Sequence, residues 1–159
     1  TPLYSSAASD VYKRQTTALT TPHLALSRLH APTLHTLRDA VAANVERMRT
    51  ATESRIMAVV KADGYGLGAV AVALAAIDAG AEWLGVTDAG DAAELRDAGI
   101  EVPILAWLNP AGVDVTQVVA DRVDIAVGSV DELRQLITDA SSLPDGRVRV
   151  HLHLSLIHI

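Results

Sequence analysis

Short continuous apolar runs alternate along the chain with stretches whose apolar residues recur every three or four positions. From Thr33 to Thr50, Leu34, Leu37, Val41, Val45 and Met48 keep that spacing, which predicts a helix with one apolar stripe. Ile56-Met57-Ala58-Val59-Val60 is short and rich in β-branched residues, the pattern of a strand covered on both faces. A glycine-rich turn follows, then an alanine-rich helix over Ala69 to Ala79 that Gly80 closes as a C-cap. Trp83 to Thr87 predicts a second strand, Asp91 to Asp97 a short helix closed by Gly99, and Val102 to Leu108 a third strand. Pro103 stands near the start of that strand, where a missing N–H is tolerated. The loop Asn109-Pro110-Ala111-Gly112 leads to a helix over 113–120 and a fourth strand over Val123 to Val127. Ser129 and Glu132 have the spacing of a capping box and open a helix that runs to about Ala140. A turn over Ser141 to Gly146 precedes a fifth strand, Arg147 to Leu152, in which charged and apolar residues alternate.

Repeated strand–helix units at this pace imply parallel strands joined by right-handed crossovers. Two α/β architectures fit, a doubly wound sheet and a (β/α)8 barrel, and in both of them ligands gather beyond the carboxyl ends of the strands. Lys61 stands at such an end. The structural alternative is that it marks the point where the strand surfaces into solvent, but its position favours chemistry. A buried ammonium is costly unless compensated, and burial lowers a lysine pKa toward the range of a useful nucleophile.

The glycines beside it narrow that chemistry. Gly64, Gly66 and Gly68 give G-x-G-x-G rather than the dinucleotide pattern G-x-G-x-x-G, and no G-K-[ST] closes a P-loop. What remains is a loop that permits close backbone approach, Tyr65 able to donate to an anion, and a helix start nearby. A cofactor that carries a phosphate and reacts with a lysine amine would use all of these, and pyridoxal 5′-phosphate is the common one.

Composition removes other classes of function. Half of the 159 residues are hydrophobic, enough for one domain with a substantial core. With no Phe, two Trp and three Tyr, that core must be aliphatic. A net charge of −6 argues against nucleic acid as a partner. There is no cysteine, which fits a reducing compartment. The longest apolar stretch, Ala69 to Ile77, falls short of the roughly 18 residues a membrane helix needs. With no secretory leader pattern, the expectation is a cytoplasmic protein without a membrane partner.

Other side chains carry weaker signals. His151 and His153 share one face of the fifth strand, but no further histidine or carboxylate completes a site, so no metal is expected. Trp107 is expected to fill the interior rather than face a ligand. Asp88, Asp91 and Glu94 read as solvated charges of a helix start. His23, His30 and His35 have no partner that the sequence identifies.

The stretch Val59-Val60-Lys61-Ala62-Asp63-Gly64-Tyr65-Gly66-Leu67-Gly68 resembles the pyridoxal-phosphate attachment motif of the alanine racemases. The likeness continues through Ala79-Gly80-Ala81, Glu94-Leu95-Arg96, Ala98-Gly99-Ile100 and Pro103-Ile104-Leu105, and covers roughly residues 29 to 153. Leu67 stands where the family usually has histidine. The resemblance implies a (β/α)8 TIM-type barrel followed by a C-terminal β domain, working as a homodimer on a small amino acid. About five of the eight strands are legible here. The first 15 residues and 154–159 do not resemble the family and read as adaptor-derived tails around a barrel segment, 16–153. By resemblance Lys61 attaches the cofactor and serves as the base on one face of the substrate. Tyr65 contacts the cofactor phosphate, and a tyrosine of the partner subunit serves the other face. Tyr4 and Tyr12 lie outside the similar region. The implied activity is interconversion of L- and D-alanine for the bacterial cell wall, with this chain a fragment inactive alone. The alternative is a noncatalytic pyridoxal-phosphate homeostasis barrel, although those proteins do not carry the K-A-x-x-Y-G-x-G form.

Overall fold

A computed structural model describes residues 38–144 and 146–154. Five strands lie side by side in chain order and all run parallel: β1 (Met57–Val59), β2 (Trp83–Val86), β3 (Ile104–Ala106), β4 (Val123–Val127) and β5 (Val150–Leu152). The helices are α1 (Arg38–Ala51), α2 (Ala69–Asp78), α3 (Ala89–Asp97), α4 (Val115–Ala120) and α5 (Val130–Ala140). A doubly wound sheet reverses its strand order at a switch point and carries helices on both faces. Here the order never reverses.

The register shows which face the helices cover. Ala58, Leu84, Ile104 and Val123 align across the sheet, and Val86, Ala106, Ile125 and Val150 align one layer further along. Successive side chains of a strand alternate between faces, so both rows lie on the same side. They form one core with Ala73 of α2, Ala92 and Leu95 of α3, Val115 and Val118 of α4, and Leu136 and Ala140 of α5. Helices packed on one face of a sequentially ordered parallel sheet make the wall of a (β/α)8 barrel. The described sheet is open, because β1 pairs only with β2 and β5 only with β4. No helix among the described residues is long and apolar enough to cross a membrane.

The strands of the sequence reading are present, but the regular ladder is shorter for all except the fourth, most of all for the third and fifth. β3 spans 104–106 rather than 102–108, yet Leu84 N donates to Pro103 O and Leu108 N to Thr87 O, so pairing continues on both sides. β5 is likewise extended by Ile125 N donating to Arg149 O and His153 N to Val127 O. The expected stripe of the first helix needs correction. Val45 is buried against Ala76, Ala79 and Ala81, whereas Met48 is 60% exposed. Leu34 and Leu37 of that stripe lie outside the described residues, as do 1–15, 155–159, His23, His30 and His35.

Helix ends explain much of the local geometry. α2 and α3 both close in Schellman turns: Ala81 N donates to Ala76 O and Ile100 N to Leu95 O, with Gly80 and Gly99 at φ +100 and +81. A Cβ on Gly80 would also run into the Arg49 guanidinium. α3 starts at Ala89 instead of Asp91, because Asp88 caps it by accepting from Gly90 N and Asp91 N. Asp91 in turn accepts from Thr87 N at 2.9 Å. Asp88 therefore caps the start of α3 and Asp91 braces the end of β2, so both belong to a helix start as expected but are hydrogen-bonded rather than simply solvated. At α5, Ser129 Oγ accepts from Glu132 N, and the Glu132 carboxylate reaches back to Gly128 N at 2.7 Å. Replacing Ser129 with alanine is expected to lower stability by about 1 kcal/mol, read from the urea midpoint at unchanged slope.

Candidate functional site

Side chains on the other sheet face point into the barrel. Val59, Gly85, Leu105 and Asp124 form one aligned row. Above Gly85 sits Trp107, whose Nε1 lies 2.8 Å from where a Cβ on that glycine would stand. Glycine there admits the indole, which also meets His153 edge-on at 6.2 Å. Trp107 therefore packs over Gly85 on the interior face of the sheet. Deeper along the strands, Trp83 meets His151 edge-on and has the Arg55 and Arg149 guanidinium groups near its ring. Asp124, 5% exposed, accepts from His151 Nε2 at 2.7 Å and pairs with Arg149 at 3.4 Å. The two histidines of β5 thus have separate partners. Among the described residues no group of three or more His, Asp or Glu could hold a metal ion.

Lys61 follows Val60 at the carboxyl end of β1, half-buried. Val60 is fixed by donating to Gly85 O at 2.8 Å, which continues the β1–β2 ladder. Among the described residues no carboxylate pairs with the Lys61 ammonium. The chain then winds through one turn, Lys61–Gly66, in an unusual hand. Ala62, Asp63, Gly64 and Tyr65 have φ between +52 and +60 and ψ between +36 and +50. That is the left-handed helical region, which costs a non-glycine residue roughly 1–2 kcal/mol. Such strain persists only where the surroundings hold it, and it gathers at functional sites.

Several hydrogen bonds hold the turn, Leu67 N donating to Gly64 O at 3.2 Å among them. Gly64 N donates to Val60 O, Gly68 N to Asp63 O, and Ala69 N to the Asp63 carboxylate at 2.8 Å. Gly64 is packed tightly, with Val72 Cγ2 at 3.2 Å from its Cβ position. Gly66 has open space on that side. Tyr65 is 64% exposed, so its hydroxyl is free to meet a ligand.

The sequence reading singles out Lys61 and Tyr65 and gives no part to Asp63. A helix cap is sought directly before the helix, where Gly68 stands; Asp63 reaches α2 from further back because the left-handed turn folds it there. The expectation that the α2 start could greet an anion is revised by the same contact, since the carboxylate already takes Ala69 N–H. Cavities of about 420, 360 and 280 Å³ among the described residues are lined by other residues. One of about 280 Å³ sits between the 109–113 loop and α5, lined by Asp131, Glu132 and Leu136.

Residues 37–156 match the family described as "Alanine racemase, N-terminal domain". The chain belongs to the alanine racemase family. It is 42% identical over 116 residues to the alanine racemase of Salinispora tropica, covering 73% of this chain and 31% of that one. It is 46% identical over 110 residues to that of Mycolicibacterium vanbaalenii, covering 69% and 28%. The solved alanine racemase of Streptomyces coelicolor superposes with a TM-score of 0.67 at 36% identity, covering 72% of this chain and 31% of that one. The enzyme from Streptomyces lavendulae, a D-cycloserine producer, superposes with a TM-score of 0.66 at 40% identity, covering 71% and 30%. The chain spans about a third of the length of these alanine racemases. The open five-stranded wall is the corresponding part of the alanine racemase barrel domain.

Proposed function

We propose that this chain is the cofactor-bearing part of a pyridoxal-phosphate-dependent alanine racemase, with Lys61 as the attachment lysine. The observation that carries the reading is a half-buried lysine closing β1, in a chain of this family, at the head of a strained turn. The donor set suits the cofactor: a primary amine for its aldehyde, the exposed Tyr65 phenol for its phosphate, and open space beside Gly66. When bound, pyridoxal 5′-phosphate supplies the electron sink that makes loss of the substrate α-proton accessible.

The chain's own residues have three tasks. Lys61 would hold the cofactor through its amine, and that amine would take or return the α-proton on one face of the amino acid. Tyr65 donates its hydroxyl to the phosphate. Gly85, by lacking a side chain, leaves room for the Trp107 indole on the interior face of the sheet. The base on the opposite face comes from a second subunit of a homodimer, and the product D-alanine serves bacterial wall synthesis in the cytoplasm. Within that reading, 16–153 is the barrel part, the short terminal stretches lie outside it, and the 159-residue chain alone does not racemise. The noncatalytic homeostasis-type barrel is not favoured, because the chain's similarity is to alanine racemases.

The test is a hybrid enzyme in which residues 37–152 replace the matching segment of the Salinispora tropica alanine racemase. D-alanine formed from L-alanine, dependent on added cofactor, supports the reading. A folded hybrid that binds cofactor without forming D-alanine refutes it.

A further inference from the structure

The left-handed turn poses a question that the resemblance leaves open. L-residues visit this region singly, yet here Ala62, Asp63 and Tyr65 hold it together with Gly64. On one side the turn is tied to β1, through Gly64 N donating to Val60 O at 2.9 Å. On the other side the hydrogen bonds from the start of α2 run to a single residue. The main-chain oxygen of Asp63 accepts from Gly68 N at 2.9 Å, and its carboxylate Oδ1 accepts from Ala69 N at 2.8 Å. Two successive N–H groups at the start of α2 therefore end on Asp63. The negative charge also stands where the helix dipole favours it.

We propose that Asp63 is a positioning residue for Lys61: its carboxylate latches the left-handed turn to α2 and thereby sets where the lysine amine stands at the end of β1. The proposal rests on the reading of Lys61 as the cofactor lysine. Asp63 touches neither substrate nor cofactor in this account. It acts through the turn, and the competing explanation is that aspartate is present only because it tolerates a positive φ.

Two substitutions separate these explanations. Asp63→Asn keeps an oxygen acceptor and tolerance of the left-handed region, whereas Asp63→Gly removes the acceptor and makes that region free of strain. The chain has two lysines, Lys13 and Lys61, so Lys13 is an internal reference. In the 159-residue chain, trace acetylation with acetic anhydride followed by peptide mass mapping gives the Lys61 to Lys13 ratio. Borohydride reduction in the presence of pyridoxal 5′-phosphate gives the label on Lys61. Asp63→Asn is expected to stay within about two-fold of the parent in both, while Asp63→Gly shifts the ratio about five-fold and cuts the label about ten-fold, the penalty of a misplaced reactive group. Far-UV circular dichroism should be unchanged in both.

Parental behaviour of Asp63→Gly in both measurements overturns the proposal. So does loss of fold in Asp63→Gly, since Asp63 is then a stability element rather than a positioning one. A parent chain labelled on Lys13 but not on Lys61 refutes the cofactor reading instead, and the acetylation ratio still decides the latch.

Discussion

Replacing Lys61 with alanine in the hybrid enzyme is expected to reduce D-alanine formation by at least about 10³-fold, within the range that a positioned acid–base group contributes. The loss cannot be covered from elsewhere in the segment, because Lys61 is the only lysine between residues 37 and 152. Stability should change little. The ammonium has no carboxylate partner among the described residues, so its removal strands no opposite charge, and a change within about 0.5 kcal/mol is expected. Lys61→Arg should be as inactive as alanine: a guanidinium keeps the charge but does not deprotonate near neutral pH. Activity retained in either variant, with the fold intact by urea titration, contradicts the assignment.

The second large effect is structural and belongs to Arg96. Its Nε donates to Asp121 O at 2.7 Å, its Nη1 to Ile100 O and Val102 O at 2.7 and 2.9 Å, and its Nη2 to Arg122 O at 3.3 Å. One side chain on α3 thus binds the segment that leads into β3 and the end of α4 that leads into β4. Burial, and then the neighbouring Arg122, push this guanidinium below its usual pKa range, while Asp121 and Glu101 pull the other way. The four carbonyls offset that cost. Arg96→Ala leaves carbonyls unsatisfied and is expected to destabilise the chain by about 2–4 kcal/mol, since hydrogen bonds to charged groups are worth roughly 1.5–3 kcal/mol each and do not add fully. Arg96→Lys should recover less than half, because an ammonium cannot reproduce the planar fork. Urea midpoints of the three chains measure this. An Arg96→Ala chain as stable as the parent would show that the carbonyl contacts contribute nothing.

What was legible in the sequence follows from which forces act locally. The strand–helix alternation is carried by residues such as Ile104, Leu84 and Val123, which belong to short continuous apolar runs that are legible locally. Strand order could not be read that way. Periodicity left the doubly wound sheet and the barrel equal, and only the pairing of each strand with its successor separates them. The lysine was visible because an ammonium after an apolar run is physically unusual. The hand of the turn that carries it was hidden, because Ala62 and Tyr65 have no local preference for positive φ and are held there by Asp63 and α2. The same reason hid the role of Arg96, whose acceptors lie up to 26 residues away. No partner for His151 was legible either, because Asp124 stands 27 residues back and parallel pairing brings the two together.

The measurement closest to the central claim is peptide mass mapping of the 159-residue chain after borohydride reduction with pyridoxal 5′-phosphate. A pyridoxyl group on Lys61 in clear excess over Lys13 and the α-amine is the expected result. Equal labelling of the three amines, or label on Lys13 alone, would contradict it.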